Sequence, residues 1–261
     1  MTDHNKPDIF DYAVQNCRFY EALQNKNVSL QSFPIMKCGN YKRNIYNMVT
    51  SKYSGKALNA LNKYRFINGD GFIQLFCWNS SDIMKSNVNL WKFRRSYYGI
   101  TPKDRCVCSH KLTPYGYQVT RDDPYIFHSN YLSIGYDFMI DLPRYKEMIK
   151  NYNPVWISLT DSMLISLYQE LRASYSECPL HLAVIEYWGK VIDDQLKTSM
   201  ESYFNCKVAY LFGAEFLGVA YEQKNGRLKV IEENAIVEAH KGTIVVSNKN
   251  NTCCPILRYC T

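Results

Sequence analysis

Between residues 143 and 212 the apolar positions switch back and forth between two periods. Residues 143–151 carry a helical pattern, and residues 155–159 are a short, continuous apolar run. Leu164, Leu167, Tyr168 and Leu171 then fall at i, i+3, i+4 and i+7 behind a Thr160-Asp161 cap. Residues 182–187 are again strand-like, residues 193–204 form a helix with Leu196, Met200 and Tyr203 inward, and residues 207–212 make a third strand. Strand, helix, strand, helix and strand joined by short links predict parallel βαβ units, because a parallel pair needs a crossover connection.

Upstream the pattern is less regular. Ile9, Tyr12, Ala13, Cys17 and Tyr20 have helical spacing, residues 33–37 are extended, and residues 42–53 read as a second helix. Residues 66–78 form two extended halves around Asn68-Gly69-Asp70-Gly71, a hairpin signature. Ser81-Asp82 caps a helix with Met84, Val88 and Trp91 on one face. A turn at residues 101–104 leads into a strand over 105–109, and the Tyr- and Pro-rich stretch 113–129 reads as loop. Beyond Phe212, short β-type runs are separated by turns at Asn225-Gly226, Lys241-Gly242 and residues 248–251. With no repeat and no low-complexity linker, one continuous core over 1–261 is expected, α/β over 1–212 and β-rich over 213–261.

Composition narrows the class. An apolar content of 46% with 21% charged residues fits a folded globular chain. The net charge is +7, but the basic residues are scattered. The densest cluster, Lys92-Phe93-Arg94-Arg95, falls in a predicted helix and reads as a solvated face, so no nucleic-acid partner is expected. No apolar run is long enough for a membrane span and no export signal is visible, which makes a cytoplasmic location the expectation. The ten cysteines lie in apolar runs and read as reduced, buried thiols. Cys106, Cys108 and His110 are open to two readings, a metal cluster or small core side chains on one strand face. A Cys108–His110 nucleophilic pair has no motif behind it.

Candidate chemistry concentrates after the strand at 207–212. An apolar strand running into Gly213-Ala214-Glu215 sets backbone amides and a carboxylate at the strand's carboxyl end, where ligands of α/β sheets bind. The same pattern also describes an ordinary hairpin with a surface glutamate.

Phe212-Gly213-Ala214-Glu215, then Val219-Ala220-Tyr221-Glu222-Gln223, then Pro255-Ile256-Leu257-Arg258-Tyr259-Cys260-Thr261 follow one another in order. The three blocks resemble the Y-G-x-T-E, I-A-Y-E-C and P-L-I-R-Y-R-T-G-D signatures of adenylate-forming enzymes. The branch is that of phenylacetate–CoA ligase-like and capsule-biosynthesis-type proteins. Phe33-Pro34-Ile35-Met36-Lys37 is similar to that branch's L-P-[IL]-x-x-K segment. The resemblance implies an N-terminal adenylation core with a parallel βαβ sheet, flanking helices and a β-rich end. It also implies biosynthetic chemistry on a carboxylic acid using ATP or AMP and magnesium.

By that resemblance Glu215 is a magnesium ligand and Phe212 stacks on adenine. The nucleotide or acyl site would also draw on Asn68, Gly69, Asp70, Gly71, Gly213, Ala214, Tyr221 and Arg258. The family's phosphate loop, T-S-G-S-T-G-x-P-L, falls on residues 67–75, where only Gly69 and Leu75 match. Asp70 sets a carboxylate where phosphate oxygens would lie, a penalty on the order of several kcal/mol without a cation. The branch's structural zinc is not expected, because its cysteine and histidine positions are Gln223 and Lys229. The chain stops before the family's Gly-Asp and its lysine-bearing C-terminal domain. Weakened stand-alone adenylation is therefore expected, with that domain, a carrier protein or CoA as partner to an acid or acyl thioester. The alternative is a non-catalytic relative that binds acyl groups, CoA or a carrier protein.

Overall fold

A computed structural model describes residues 8–67, 73–123 and 128–261. The helices are α1 (Ile9–Asn16), α2 (Cys38–Met48), α3 (Ser80–Tyr98), α4 (Leu142–Tyr152), α5 (Asp161–Ser174) and α6 (Asp194–Phe204). The strands are β1 (Asn62–Ile67), β2 (Ile73–Trp78), β3 (Cys106–Thr113), β4 (Gln118–Asp123), β5 (His128–Gly135), β6 (Trp156–Thr160) and β7 (Val184–Trp188). They continue as β8 (Lys207–Phe212), β9 (Ala220–Glu222), β10 (Leu228–Val230), β11 (Ala235–His240), β12 (Thr243–Asn248) and β13 (Tyr259–Cys260). The chain forms two compact units, one of Met1–Ser86, Glu215–Val219 and Val230–Thr261, the other of Asn87–Ala214 and Ala220–Lys229.

The second unit is built on an eight-stranded sheet of order β10-β9-β8-β7-β6-β3-β5-β4. β5, β3, β6, β7 and β8 run parallel, and antiparallel β4 and β9 flank them. The helix boundaries follow from local chemistry. Thr160 Oγ1 accepts from the Met163 amide at 3.3 Å to start α5, and Asp193 accepts from Gln195 and Leu196 to start α6. α4 has Pro143 in its first turn and stops at Asn153 in left-handed backbone. Leu164, Leu167, Tyr168 and Leu171 of α5 and Met200 and Phe204 of α6 are buried in one cluster with Ile157, Leu159, Ile185 and Val208. The βαβ alternation expected over 143–212 is observed.

Three expectations are corrected by the strands and by α3, which begins in the first unit and ends in the second. Part of the stretch read as loop over 113–129 is strand, because β4 pairs antiparallel with β5, Gln118 opposite Ser133 and Val119 opposite Leu132. The β-branched Val119 and Thr120 of β4 suit a pleated edge better than a free loop. Met84 and Val88 are exposed, while Ile83, Leu90 and Trp91 are buried, so α3 is rotated from the face its apolar residues suggest. Arg94 is not solvated. It is 2% exposed, and its guanidinium donates to both Glu186 oxygens at 2.8 and 2.7 Å. Strand alternation explains the pairing: Trp156, Ser158 and Glu186 project from one sheet face, whereas Ile157, Leu159, Ile185 and Tyr187 project from the other into the apolar cluster.

At the carboxyl end of β5, Tyr145 Oη donates to Asp137 Oδ1 and to the Gly116 carbonyl, both at 2.6 Å, and accepts from the Gly135 amide at 3.0 Å. A Cβ at Gly135 would collide with Asp137 Oδ1 and the Gly116 carbonyl. Gly135→Ala is expected to cost about 2 kcal/mol, within the range for overpacking, read as a lowered urea midpoint. An unchanged midpoint would show that the loop at Gly116 gives way freely.

In the first unit β1 and β2 form the expected antiparallel hairpin. β11, β12 and β13 form an antiparallel sheet, and the extended segment at Met36 bridges in parallel to Tyr259. Tyr41, Phe76, Phe216 and Tyr259 pack their rings together, with Tyr41 and Phe76 stacked at 5.2 Å. The α3 cap is Asn79, whose Oδ1 accepts from the Asp82 amide at 2.8 Å; Asp82 lies one turn inside and accepts from Thr252.

Candidate functional site

The carboxyl ends of β6, β7 and β8 bring Phe212 of the second unit together with residues that no motif announced. β7 runs out at Trp188 into Gly189, whose φ is 110°. Any Cβ there would overlap Asp161 Oδ1 at the end of β6, so glycine lets the two strand ends close up. Tyr210 of β8 donates its hydroxyl to the Gly189 carbonyl at 2.8 Å, and its ring packs on Tyr187 at 5.0 Å. Phe212 is half-buried with its ring 6.4 Å from that of Tyr210. These ends form a wall of aromatic faces and a backbone carbonyl where open parallel sheets bind ligands. The sequence trace of Gly189 is a strand followed directly by glycine, the same cue that singled out Gly213.

β8 continues into the turn that carries Glu215. Gly213 has φ 72°, a short 3₁₀ turn spans Ala214–Phe216, and Leu217 and Gly218 have φ 59° and 93°. The Glu215 side chain belongs to the first unit and is half-buried. Desolvation raises its carboxyl pKa above the ordinary value, opposed by a smaller contribution from its own backbone amide. No cationic side chain among the described residues offsets that cost. A partly desolvated carboxylate without a counter-charge fits a divalent cation. No cluster of three or more His, Cys, Asp or Glu that could hold a metal occurs among the described residues.

The remaining sequence-derived residues are spread out. Asn68, Gly69, Asp70 and Gly71 lie outside the described residues. Gly213 and Ala214 form the start of the turn. Tyr221 is fully buried in β9, stacked on Tyr97 at 6.5 Å and edge-on to Tyr98 at 5.8 Å. Its neighbour Glu222 pairs with Lys197 and accepts from the Tyr210 amide at 2.9 Å, fixing β9 against β8 and α6. In the first unit, Arg258 has φ 53°, bonds Glu238 at 3.2 Å and donates to the Phe33 carbonyl at 3.0 Å.

The cysteine expectations divide. Cys106 and Cys108 are completely buried with Val107 in a strand covered on both faces, which suits packing and removes Cys108 from any substrate. Burial pushes the Cys17 and Cys206 thiols up to about 12. A cavity of about 1030 Å³ opens at the amino ends of β6 and β7, lined by Arg172, His181, Ser199 and Tyr203. It lies at the opposite end of these strands from Gly189. No helix among the described residues is long and apolar enough to cross a membrane.

No protein-family model matches the chain, and no curated protein matches it by sequence. Solved structures do. An open conformation of 2-hydroxyisobutyryl-CoA ligase, in complex with 2-HIB-AMP and CoA, superposes with a TM-score of 0.70 at 15% identity, covering 96% of this chain and 65% of that one. The same ligase in its postadenylation state with 2-HIB-AMP gives 0.70 at 14% identity, covering 96% and 59%. An anthranilate CoA ligase in complex with anthranoyl-AMP gives 0.52 at 11% identity, covering 73% and 39%. The chain thus spans less than two thirds of the length of these relatives. The fold is that of the N-terminal core of adenylate-forming CoA ligases, a mixed α/β architecture with a parallel sheet and flanking helices.

Proposed function

We propose that the protein handles a carboxylic acid, or its adenylate or thioester, as a relative of the phenylacetate–CoA ligase-like branch of adenylate-forming enzymes. The observation that carries this reading is Glu215, a half-buried carboxylate without a cationic partner among the described residues that follows β8 in a CoA-ligase core fold. The 2-hydroxyisobutyryl-CoA ligase was solved with 2-HIB-AMP and CoA and the anthranilate CoA ligase with anthranoyl-AMP, which supports an acid and CoA as substrates here. ATP would supply the adenylyl group. Magnesium, when bound, would neutralise phosphate charge as that group is transferred. In the first unit Glu215 would hold a cation; within the second, Phe212 would offer a ring face to a base, and Tyr210 and Gly189 would keep the β7 and β8 ends in place. The lysine that completes adenylation in the family would come from the family's C-terminal domain or a separate partner.

The sequence Asn68-Gly69-Asp70-Gly71 supports weakened adenylation, since Asp70 adds a negative charge where the family uses hydroxyl donors. Asp70→Ser is expected to tighten ATP–magnesium binding about tenfold, equivalent to roughly 1.4 kcal/mol, measured by isothermal titration. Pyrophosphate exchange across aromatic and aliphatic acids tests the chemistry itself. Absence of ATP, AMP and acyl-CoA binding at millimolar concentration would remove the proposal, and acyl-CoA binding alone would favour a non-catalytic relative.

A further inference from the structure

The turn that presents Glu215 has a backbone its sequence does not favour. Leu217 lies in the left-handed region at φ 59°, where an L side chain costs roughly 1–2 kcal/mol. Such conformations persist only when their surroundings over-determine them.

In the first unit two buried asparagines do this. Asn248 Nδ2 donates to the Phe216 carbonyl at 3.1 Å. Asn234 Nδ2 donates to the Gly218 carbonyl at 3.2 Å and the Leu217 carbonyl at 3.4 Å, and also to the Ser86 carbonyl at 3.1 Å. Three consecutive carbonyls after Glu215 are therefore held by two side chains, both fully buried. The amides are themselves fixed in orientation. Asn248 Oδ1 accepts from the Asn250 and Asn251 amides, each at 2.8 Å, and Asn234 Oδ1 accepts from Asn250 Nδ2 at 2.9 Å. A backbone bond from Ile231 to the Val219 carbonyl at 2.8 Å closes the far end of the turn. An apolar side chain at either position would strand the carbonyls, and a carboxylate would face them with like charge.

We propose that Asn234 and Asn248 are positioning residues that lock the turn over residues 216–218 and thereby hold the Glu215 carboxylate in its cation-binding setting. The inference deepens the function proposed above and rests on it only for the identity of the ligand.

The test compares Asn234→Ala and Asn248→Ser with Asn251→Ala. Asn251 is an equally buried amide that donates to the Cys77 carbonyl and makes no bond to the turn. Amide hydrogen exchange and the ¹³C side-chain relaxation of Glu215 are read on nucleotide-free protein. Exchange at residues 216–219 is expected to quicken at least tenfold in the first two variants, relative to β6 and β7, and the Glu215 side chain to become more mobile. In Asn251→Ala neither should change beyond the general loss of stability. If all three variants behave alike, or the turn and Glu215 are unmoved, the asparagines are ordinary core amides and the inference is wrong. Should Asn234→Ala fail to fold, Asn248→Ser, which keeps an acceptor for the two amides, carries the same comparison. Neither readout needs turnover, so a wild-type protein inert towards ATP would refute the proposed function while the exchange data still decide the clamp.

Discussion

Truncating Arg94 to alanine is expected to lower the unfolding free energy by about 3–5 kcal/mol. The guanidinium is 2% exposed and its partner Glu186 is fully buried. Ser158 Oγ donates to Glu186 Oε1 at 2.7 Å, and the rings of Trp91 and Trp156 lie 4.8 and 4.9 Å from the guanidinium carbon. The pair therefore joins α3 to β6 and β7 through hydrogen bonds in a site closed to water. Most of the loss comes from what remains, because the buried Glu186 would lose both guanidinium hydrogen bonds. It would take up a proton, with a pKa raised in the folded variant above its unfolded value. The variant's deficit should accordingly shrink towards acid and grow as pH rises through that raised value. Replacing both partners, Arg94→Met with Glu186→Leu, should recover most of the stability, since apolar groups of similar volume need no partner. Urea unfolding followed by tryptophan fluorescence reads these differences directly. A loss below about 1 kcal/mol would show that the pair contributes no more than an exposed one.

The same residue shows where sequence reading stops. The α4–β8 region was legible because each helix there is amphipathic in the simple sense, with apolar residues inward and a start signal, Pro143 in α4 and a side-chain cap in α5 and α6. α3 breaks that rule. Its buried positions include Ser86, Asn87 and Arg94, so its apolar residues alone mark the wrong face. A polar contact becomes predictable only when its partner is known, and Glu186 lies on a strand far along the chain. β4 and β5 were missed for a related reason. β3 pairs with both β5 and β6, a non-local arrangement that residues 113–129 do not encode by themselves.

At the site, Glu215 stood out because glycine precedes it. Asn234 and Asn248 did not, since asparagines near turn residues ordinarily cap turns in solvent. Here they face inward onto carbonyls.

Glu215→Gln should separate function from stability. On the proposed reading, loss of the carboxylate removes the only charged protein ligand that the described residues offer the cation. Cation-dependent pyrophosphate exchange should then fall by roughly two orders of magnitude, equivalent to ~3 kcal/mol of transition-state stabilisation. Stability should move the other way. Burial raises the Glu215 pKa in the folded protein, so the folded state favours the protonated carboxyl. That contribution is fully present below the unfolded pKa and is lost as pH rises through the folded one. At neutral pH the ionised carboxylate is thus a burden without its cation, and glutamine, neutral and nearly the same shape, removes it. Wild-type exchange activity should rise with pH as Glu215 ionises, and the residual activity of the variant should lack that limb. A variant less stable than wild type at neutral pH would mark Glu215 as a structural carboxylate, and a fully active one would remove it from the reaction. More stable and nearly inactive is the combination expected of a carboxylate held in reserve for a cation.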